Sequence, residues 1–365
     1  MGSTVVEKKP QYINKPIVEK KTYSKKIYIE IMRIIAAFLV IVNHTNSDVF
    51  LKYSEGGSVT WFLSLTYFFV SKIAVPVFLM IMGGLLLQKI DSPKKSVIRV
   101  LRMVLVVTIY SAVYYLYLHR HNPDTMSLLD FVETIFTNRT NNAFWYIYTY
   151  IGLLILLPIM QRMAAAFSKK TTTYFVFLSV GVMGLIPLCN LFFEIKPNHY
   201  VTDIFFAPTI GLVFLGFYIE KYLNITKSMF AAASLMFVSI ITLEVAYSYM
   251  RFEDTPQSYL QLDHWQYLNI TASALCFYII CKYLFTTIKF GAKTSKVLCY
   301  FGSLTFGIYL LSDLVMFITK PYYLKYAPTS EHIILITILW ELVIFATCGI
   351  VTALLKLIPK FNKLI

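Results

Sequence analysis

The sequence predicts an all-α, polytopic membrane protein, a bundle of about ten transmembrane helices with both termini in the cytoplasm. Of its 365 residues, 58% are hydrophobic and only 14% are charged, a balance that a water-soluble domain could not hide in one core. The apolar residues form ten stretches that are long enough, or nearly so, to cross about 30 Å of hydrocarbon. Lys and Arg also concentrate in alternate connections between those stretches.

Clusters of charged residues, Pro and Asn separate the ten apolar stretches. We expect each stretch to be a helix, because a backbone exposed to lipid must satisfy its own hydrogen bonds. The short connections leave no room for a second domain. The chain therefore divides into a polar basic tail (1–26), one membrane domain (27–358) and a short second tail (359–365). The predicted spans cover residues 27–46, 61–88, 97–118, 144–163, 173–193, 204–220, 228–249, 265–286, 298–319 and 332–356.

Basic residues set the predicted orientation. The side of the membrane that holds both termini collects 24 of the 33 Lys and Arg residues and the other side collects seven, while Arg33 and Lys72 lie within spans. Because short cytoplasmic loops retain positive charge, we expect a multi-pass protein of the cell membrane with both termini in the cytoplasm. The asymmetry also accounts for most of the net charge of +14, so we expect contacts with membrane lipid and none with nucleic acid.

The first span carries an arginine and a histidine eleven positions apart, Arg33 and His44. That step is about three helical turns plus about 20°, which places both side chains on one face, about 16 Å apart along the axis. A charge inside the bilayer costs about 2.5 to 3.5 kcal/mol, so Arg33 needs a function or a partner, and Glu30 three residues earlier offers the partner. His44 by itself is more simply explained as a hydrated side chain at the interface.

Three more ionisable residues fall within the predicted spans. Lys72 and Glu341 lie at similar depths, about 16 and 15 Å from the nearest interface, and we predict that they pair because an unpaired charge there is costly. Asp313 lies about 25 Å along its span, near the level of His44. Its carboxylate either orients the imidazole or caps the end of the helix towards water, and the sequence leaves both open.

The outer loops at 119–143 and 250–264 carry further polar and aromatic side chains. They are either contacts for a substrate or ordinary solvated loop residues, and their position in loops favours the second interpretation. The residues concerned are Arg139, Asp263, His264 and Trp265.

The intramembrane residues resemble those of the integral-membrane acyltransferase-3 family, whose members have about ten spans and a basic residue on the first span followed eleven positions later by a histidine. The matching block is YIEIMRIIAAFLVIVNHT, where Glu30, Arg33, Ala36 and His44 fall on the family's acidic, basic, small and histidine positions. The second-span block is KIAVPVFLMIMGGLLL, which begins at Lys72.

Four further blocks follow in the family's order. They are KKSVIRVLR with Arg99 and Arg102, FWYIYTYIGLLILLP with Trp145, LVFLGFYIE with Gly216, and FGSLTFGIYLL with Tyr309. The chain departs from the family at Met82, where a small hydroxyl residue is common, and at Ser312, where a histidine often follows YLL.

The resemblance implies transfer of an acyl group, most often acetyl from acetyl-CoA, to a hydroxyl of a carbohydrate or lipid-linked glycan. Acetyl-CoA is anionic and so suits the basic residues of the bundle. The guanidinium groups among them can bind phosphate oxygens through paired hydrogen bonds. No metal is expected, since the five cysteines show neither CxxC spacing nor a histidine partner. The resulting site comprises His44 and Asp313 as catalytic residues, Arg33, Lys72, Arg99 and Arg102 as contacts of the acyl-CoA, and Glu30, Trp145, Tyr309 and Glu341 as supporting residues.

Two questions stay open at this level. His44 either removes the proton of the acceptor hydroxyl or carries the acyl group itself. The alternative function is a multispan transporter or flippase, because ionisable residues inside a membrane also line the routes of transported substrates.

Overall fold

The computed structural model describes residues 26–45, 57–137, 140–195, 208–254, 260–327, 332–362 and 364. Over these ranges the chain is helical, with no β-strand, and nine helical segments are long and apolar enough to cross a membrane. The predicted all-α bundle of about ten spans is confirmed. The sixth predicted span corresponds to a helix of 15 residues that begins at Pro208, and residues 196–207 before it lie outside the described ranges, as does most of the tail 1–26.

We number the helices in chain order. A π-helical segment, Phe177–Val182, interrupts α7. At 35 residues α11 is about 50 Å long and exceeds the thickness of the hydrocarbon core. The helices are α1 (Ile27–Thr45), α2 (Val59–Ser71), α3 (Ala74–Leu86), α4 (Pro93–Leu118), α5 (Leu128–Phe136), α6 (Trp145–Ala166), α7 (Lys169–Phe193), α8 (Pro208–Tyr222), α9 (Lys227–Asp254), α10 (Leu268–Thr287), α11 (Ala292–Tyr326), α12 (Ile333–Leu355) and α13 (Pro359–Asn362).

Helix α1 lies at the centre of the bundle. It packs against α2, α3, α10, α11 and α12, and apolar residues such as Met32 and Ala37 are fully buried. In contrast, α9 exposes large apolar side chains such as Leu235 and Leu243, as expected of a helix that faces lipid. The central position of α1 places its polar residues inside the protein and not against the hydrocarbon.

The second predicted span, 61–88, is two helices in the structure. Helix α2 ends at Ser71 and α3 begins at Ala74. Pro76 explains the interruption, because it has no N–H and its ring would clash with the carbonyl four residues earlier, which belongs to Lys72. At the end of α2, the Lys72 N–H donates to the Phe69 carbonyl three residues earlier, at 3.1 Å. Lys72 therefore lies at a break between two helices.

Two glycines bring α3 and α8 into backbone contact. A Cβ atom added at Gly83 would lie 1.7 Å from the Val213 carbonyl oxygen, and one added at Gly216 would lie 1.9 Å from the Met80 carbonyl oxygen. Each glycine thus receives the backbone of the other helix. Such contacts replace the hydrophobic driving force that neighbouring helices lack in lipid.

We expect Gly216→Ala and Gly83→Ala to destabilise the protein by about 1 to 3 kcal/mol or more, because the added methyl group overpacks the α3–α8 contact. Thermal unfolding in detergent micelles measures the change. Gly152→Ala is the matched control, since no atom lies within 4 Å of a Cβ added there. A Gly216→Ala protein as stable as the Gly152→Ala protein would contradict the prediction.

Candidate functional site

A cavity of about 650 Å³ lies beside α1. Its walls come from α1, the α2–α3 break, α3, α4, α6, α11 and the loop before α10. Arg33 and His44 both line it, so the face that the eleven-residue spacing defines is the face that α1 presents to the cavity. The two residues are about 16 Å apart along the helix axis, and we call the two regions the Arg33 end and the His44 end.

At the His44 end, the imidazole pairs with a carboxylate. Nδ1 of His44 lies 3.1 Å from Oδ1 of Asp313 on α11. The Asp313 side chain is almost fully buried, whereas 25% of the His44 side chain is exposed. An Nδ1–H that donates to the carboxylate makes Nε2 the ring nitrogen that accepts protons. The structure therefore brings together the two residues that the sequence placed at one level.

At the Arg33 end, the guanidinium lies beside a buried carboxylate. Nη1 of Arg33 is 3.4 Å from Oε2 of Glu30, one turn earlier on α1. Gly302 on α11 makes room for this carboxylate, because a Cβ atom there would lie 2.2 Å from Glu30 Oε2. Glu30 is thus held between α1 and α11, where it fixes one side of the Arg33 guanidinium.

The predicted pair between Lys72 and Glu341 is wrong. Nζ of Lys72 lies 3.1 Å from Oδ2 of Asp263 in the loop before α10. The fully buried Glu341 carboxylate accepts hydrogen bonds from the hydroxyls of Thr45 and Tyr67. Equal depth in the membrane does not place two side chains on facing sides, and here one faces the cavity while the other joins α12 to α1 and α2.

The loop before α10 forms part of the cavity wall. Asp263, His264 and Trp265 all line it, while His264 is also exposed, so their contact with a substrate stays a prediction. Trp265 stacks on Trp145, with ring centroids 5.4 Å apart and an interplanar angle of 26°. A lone lysine in a span needs an acidic partner, and that requirement is the sequence signal that could have identified Asp263. Arg139, from the other predicted loop, lies outside the described residues.

The surroundings of the loop histidine, His264, lower its pKa. Burial lowers the pKa of His264, Asp263 opposes this effect, and Lys72 adds to it, so that the pKa stays below its ordinary value. The lowered pKa favours the neutral imidazole.

Trp145 and Tyr309, the two supporting aromatic residues, also line the cavity. The Tyr309 hydroxyl donates to the Ala143 carbonyl at 2.6 Å, and its ring meets that of Tyr146 edge-on, with centroids 5.9 Å apart. This contact joins α11 to the start of α6.

The two arginines of α4 have different environments. Arg102 lines the cavity and donates from Nε and Nη2 to the Leu364 carbonyl, at 2.9 and 2.7 Å. Arg99 instead donates from Nη1 to Asp91 at 2.7 Å, and it is not among the residues that line the cavity. Among the described residues, no group of three or more His, Cys, Asp or Glu side chains could hold a metal ion.

Asp91 stays ionised despite its burial. Desolvation raises its pKa, but hydrogen bonds from Lys95, Arg99 and Gln161 outweigh that effect and hold the pKa at about 2. The carboxylate therefore neutralises Arg99 at physiological pH and anchors the start of α4. Arg99 is thus paired with Asp91 in the structure, and its predicted contact with the acyl-CoA stays a prediction.

The corrected partner of Lys72 can be tested with double substitutions. We expect Lys72→Met and Asp263→Asn to be coupled by about 0.5 to 3 kcal/mol in the free energy of unfolding, because each removes the same contact. Lys72→Met with Glu341→Gln is the control, and its losses should add to within about 0.5 kcal/mol. Chemical unfolding in micelles provides the measurement. Additivity in the first pair, or coupling in the second, would contradict this assignment.

Comparison with known proteins supplies one more finding. The family model described as an acyltransferase domain, that of the acyltransferase-3 family, matches residues 26–357. Searches among curated proteins and among solved structures gave no match. The matched range contains the whole cavity wall, including Arg33 and His44, and also contains Asp313, the partner of His44. The chain therefore belongs to the acyltransferase-3 family and is a membrane acyltransferase.

Proposed function

We propose that this acyltransferase is an O-acetyltransferase of the cell membrane, which moves an acetyl group from cytoplasmic acetyl-CoA to a hydroxyl of a cell-surface or lipid-linked glycan. The observation that supports it best is the single cavity that contains both a guanidinium, Arg33, and an imidazole paired with a carboxylate, His44 with Asp313. An imidazole held in this way is suited to acyl transfer, because it can accept and return a proton near neutral pH.

The residues at the Arg33 end fit an anionic donor. Arg33 and Arg102 are both on the cavity wall, and guanidinium groups bind phosphate oxygens in paired hydrogen bonds. In the structure the N–H groups of Arg102 bond to a neutral carbonyl, and a phosphate oxygen would be a stronger hydrogen-bond acceptor. We therefore assign the phosphates of the donor to this end, with its acyl-bearing arm directed along α1 towards His44.

Lys72 takes a different part from the one that the resemblance implies. Because it lies at the α2–α3 break and acts electrostatically on His44, its positive charge belongs at the His44 end. There it can stabilise the negative charge that develops on the thioester oxygen during attack. We assign Arg99 to the ion pair with Asp91 and not to the binding of acetyl-CoA.

His44 carries the chemistry in this proposal. Its Nδ1–H stays on Asp313 while Nε2 takes the proton from the acceptor hydroxyl, whose oxygen forms a bond to the thioester carbon. As the carbon–sulfur bond breaks, the imidazolium returns the proton to the sulfur, which leaves as a thiol. In the other version, Nε2 bonds to the acyl carbon first, while the carbon–sulfur bond breaks and the CoA leaves as a thiolate. The acceptor hydroxyl then attacks the acyl carbon, the carbon–nitrogen bond breaks, and the hydroxyl proton passes to the thiolate. Both versions use the same nitrogen.

The orientation completes the proposal. The excess of Lys and Arg on the side of both termini supports cytoplasmic termini, so that Arg33, near the start of α1, meets a cytoplasmic donor. His44, about 16 Å further along, then lies near the opposite face of the membrane. An acceptor presented on that face reaches the imidazole without crossing the bilayer.

Purified protein in nanodiscs with radiolabelled acetyl-CoA and a membrane glycan extract tests the function. We expect transfer of the label to the glycan, and His44→Ala should lower the rate by about 10² to 10⁴-fold because the general base is lost. His121→Ala is the control, since His121 is exposed in a loop. Transport of a solute without consumption of acetyl-CoA, or full activity in His44→Ala, would contradict the proposal.

The assignment of the acetyl-CoA phosphates to the Arg33 end leads to a separate prediction. Loss of a hydrogen bond to a charged group costs about 1.5 to 3 kcal/mol, so Arg33→Ala should raise the KM for acetyl-CoA by about tenfold or more. Arg33→Lys keeps the charge beside Glu30 and should give an intermediate KM. Arg162→Ala, which removes an exposed arginine, serves as the control in the same steady-state assay. An unchanged KM in both Arg33 variants would refute the assignment.

A further inference from the structure

A tyrosine of α4 reaches into α11 next to Asp313. The Tyr114 side chain is fully buried, with 0% exposure. Its hydroxyl donates to the Leu310 carbonyl at 3.1 Å and accepts from the Leu314 N–H at 2.9 Å. One oxygen atom of α4 thus bonds to two backbone groups of α11.

These two backbone groups are partners in the helix. In an α-helix the N–H of residue 314 points at the carbonyl of residue 310, and a side chain that inserts between such partners bends the helix at that point. The Leu314 N–H belongs to the peptide group that joins Asp313 to Leu314. The Tyr114 hydroxyl therefore acts on the backbone from which the Asp313 side chain extends.

The surroundings of Tyr114 hold its hydroxyl in place. The ring meets Phe144 edge-on at 5.2 Å and Phe317 at 6.5 Å, with interplanar angles of 75° and 88°. A residue fixed by two rings and two backbone groups has little freedom to follow movements of α11, so it acts as a fixed point for the helix.

We propose that Tyr114 is a positioning residue of the acyl transfer, which orients the Asp313–Leu314 peptide so that the Asp313 carboxylate meets Nδ1 of His44. This inference rests on the proposed function. Tyr114 does not contact the substrate in this scheme; it acts through Asp313, and Asp313 acts through His44.

Other charged and titratable groups surround the pair. Lys72 faces His44 from the α2–α3 break, and Asp263 lies behind Lys72. Tyr309 on α11 and Cys348 on α12 are the other titratable groups near Asp313. Removal of the Tyr114 hydroxyl leaves all four in place, so a change at His44 in that variant reports the position of Asp313.

Tyr114→Phe removes one oxygen atom and tests the inference. We expect kcat to fall about tenfold with an unchanged KM for acetyl-CoA, which corresponds to about 1.4 kcal/mol. Tyr110→Phe is the matched control: Tyr110 lies one turn earlier on α4, is nearly as buried, and its hydroxyl has no hydrogen-bond partner in the described part of the chain. Its kcat should equal that of the wild type. In an Asp313→Asn background, Tyr114→Phe should cause no further loss, and an additive loss would overturn the proposal.

A second measurement, chemical modification of His44, does not depend on enzyme activity. Diethyl pyrocarbonate modifies neutral imidazole, and mass spectrometry of the His44 peptide at several pH values gives the midpoint of modification. A carboxylate partner stabilises the imidazolium, so the midpoint should move to lower pH in Tyr114→Phe and in Asp313→Asn, but not in Tyr110→Phe. An unmoved midpoint in Tyr114→Phe overturns the inference. Failure of the proposed function would appear instead as a wild-type protein that transfers no acetyl group.

Discussion

The structure depends on one constraint: an ionisable side chain inside a bilayer must find its partner within the protein. One such contact lies within α1, and others join α1, or the groups around it, to another part of the bundle. Because α1 carries polar groups at both ends and contacts five other helices, it is the helix on which the partners converge. Some of the residues in these contacts, Arg33, His44 and the pair of Lys72 with Asp263, also line the cavity. The contacts are Glu30 with Arg33, His44 with Asp313, Lys72 with Asp263, and Glu341 with Thr45 and Tyr67.

Helical periodicity predicted the part of the site that lies on one helix. The spacing of Arg33 and His44 defines their common face without knowledge of any neighbour, and both residues line the cavity. Counting the rise per residue also placed Asp313 at the level of His44, where the structure has it. The same count failed for Lys72 and Glu341, because depth is one coordinate and the direction in which a helix faces is another. Only packing determines the second coordinate.

Contacts between distant segments were beyond the sequence. The loop that supplies Asp263 and Trp265 lines the cavity, and the only sign of this in the sequence is the need of Lys72 for an acidic partner. Gly302 is required because Glu30 occupies the space of a side chain there, a relation between two helices that neither shows alone. The interruption at Lys72 is different, since Pro76 four residues later is a visible cause. Proline alone does not decide such a break, however, because α6 and α11 continue through Pro158 and Pro321.

The break between α2 and α3 has a mechanical consequence. Helix α3 is joined to α8 through backbone contacts at Gly83 and Gly216, whereas α2 packs its aromatic residues, Trp61 and Phe69 among them, in a separate apolar cluster with α9. The two halves of one membrane crossing thus pack in part against different neighbours. A change in the angle between them would be taken up at the two residues that link them. Because Lys72 is one of those two residues and lines the cavity, such a change would move its charge relative to the imidazole.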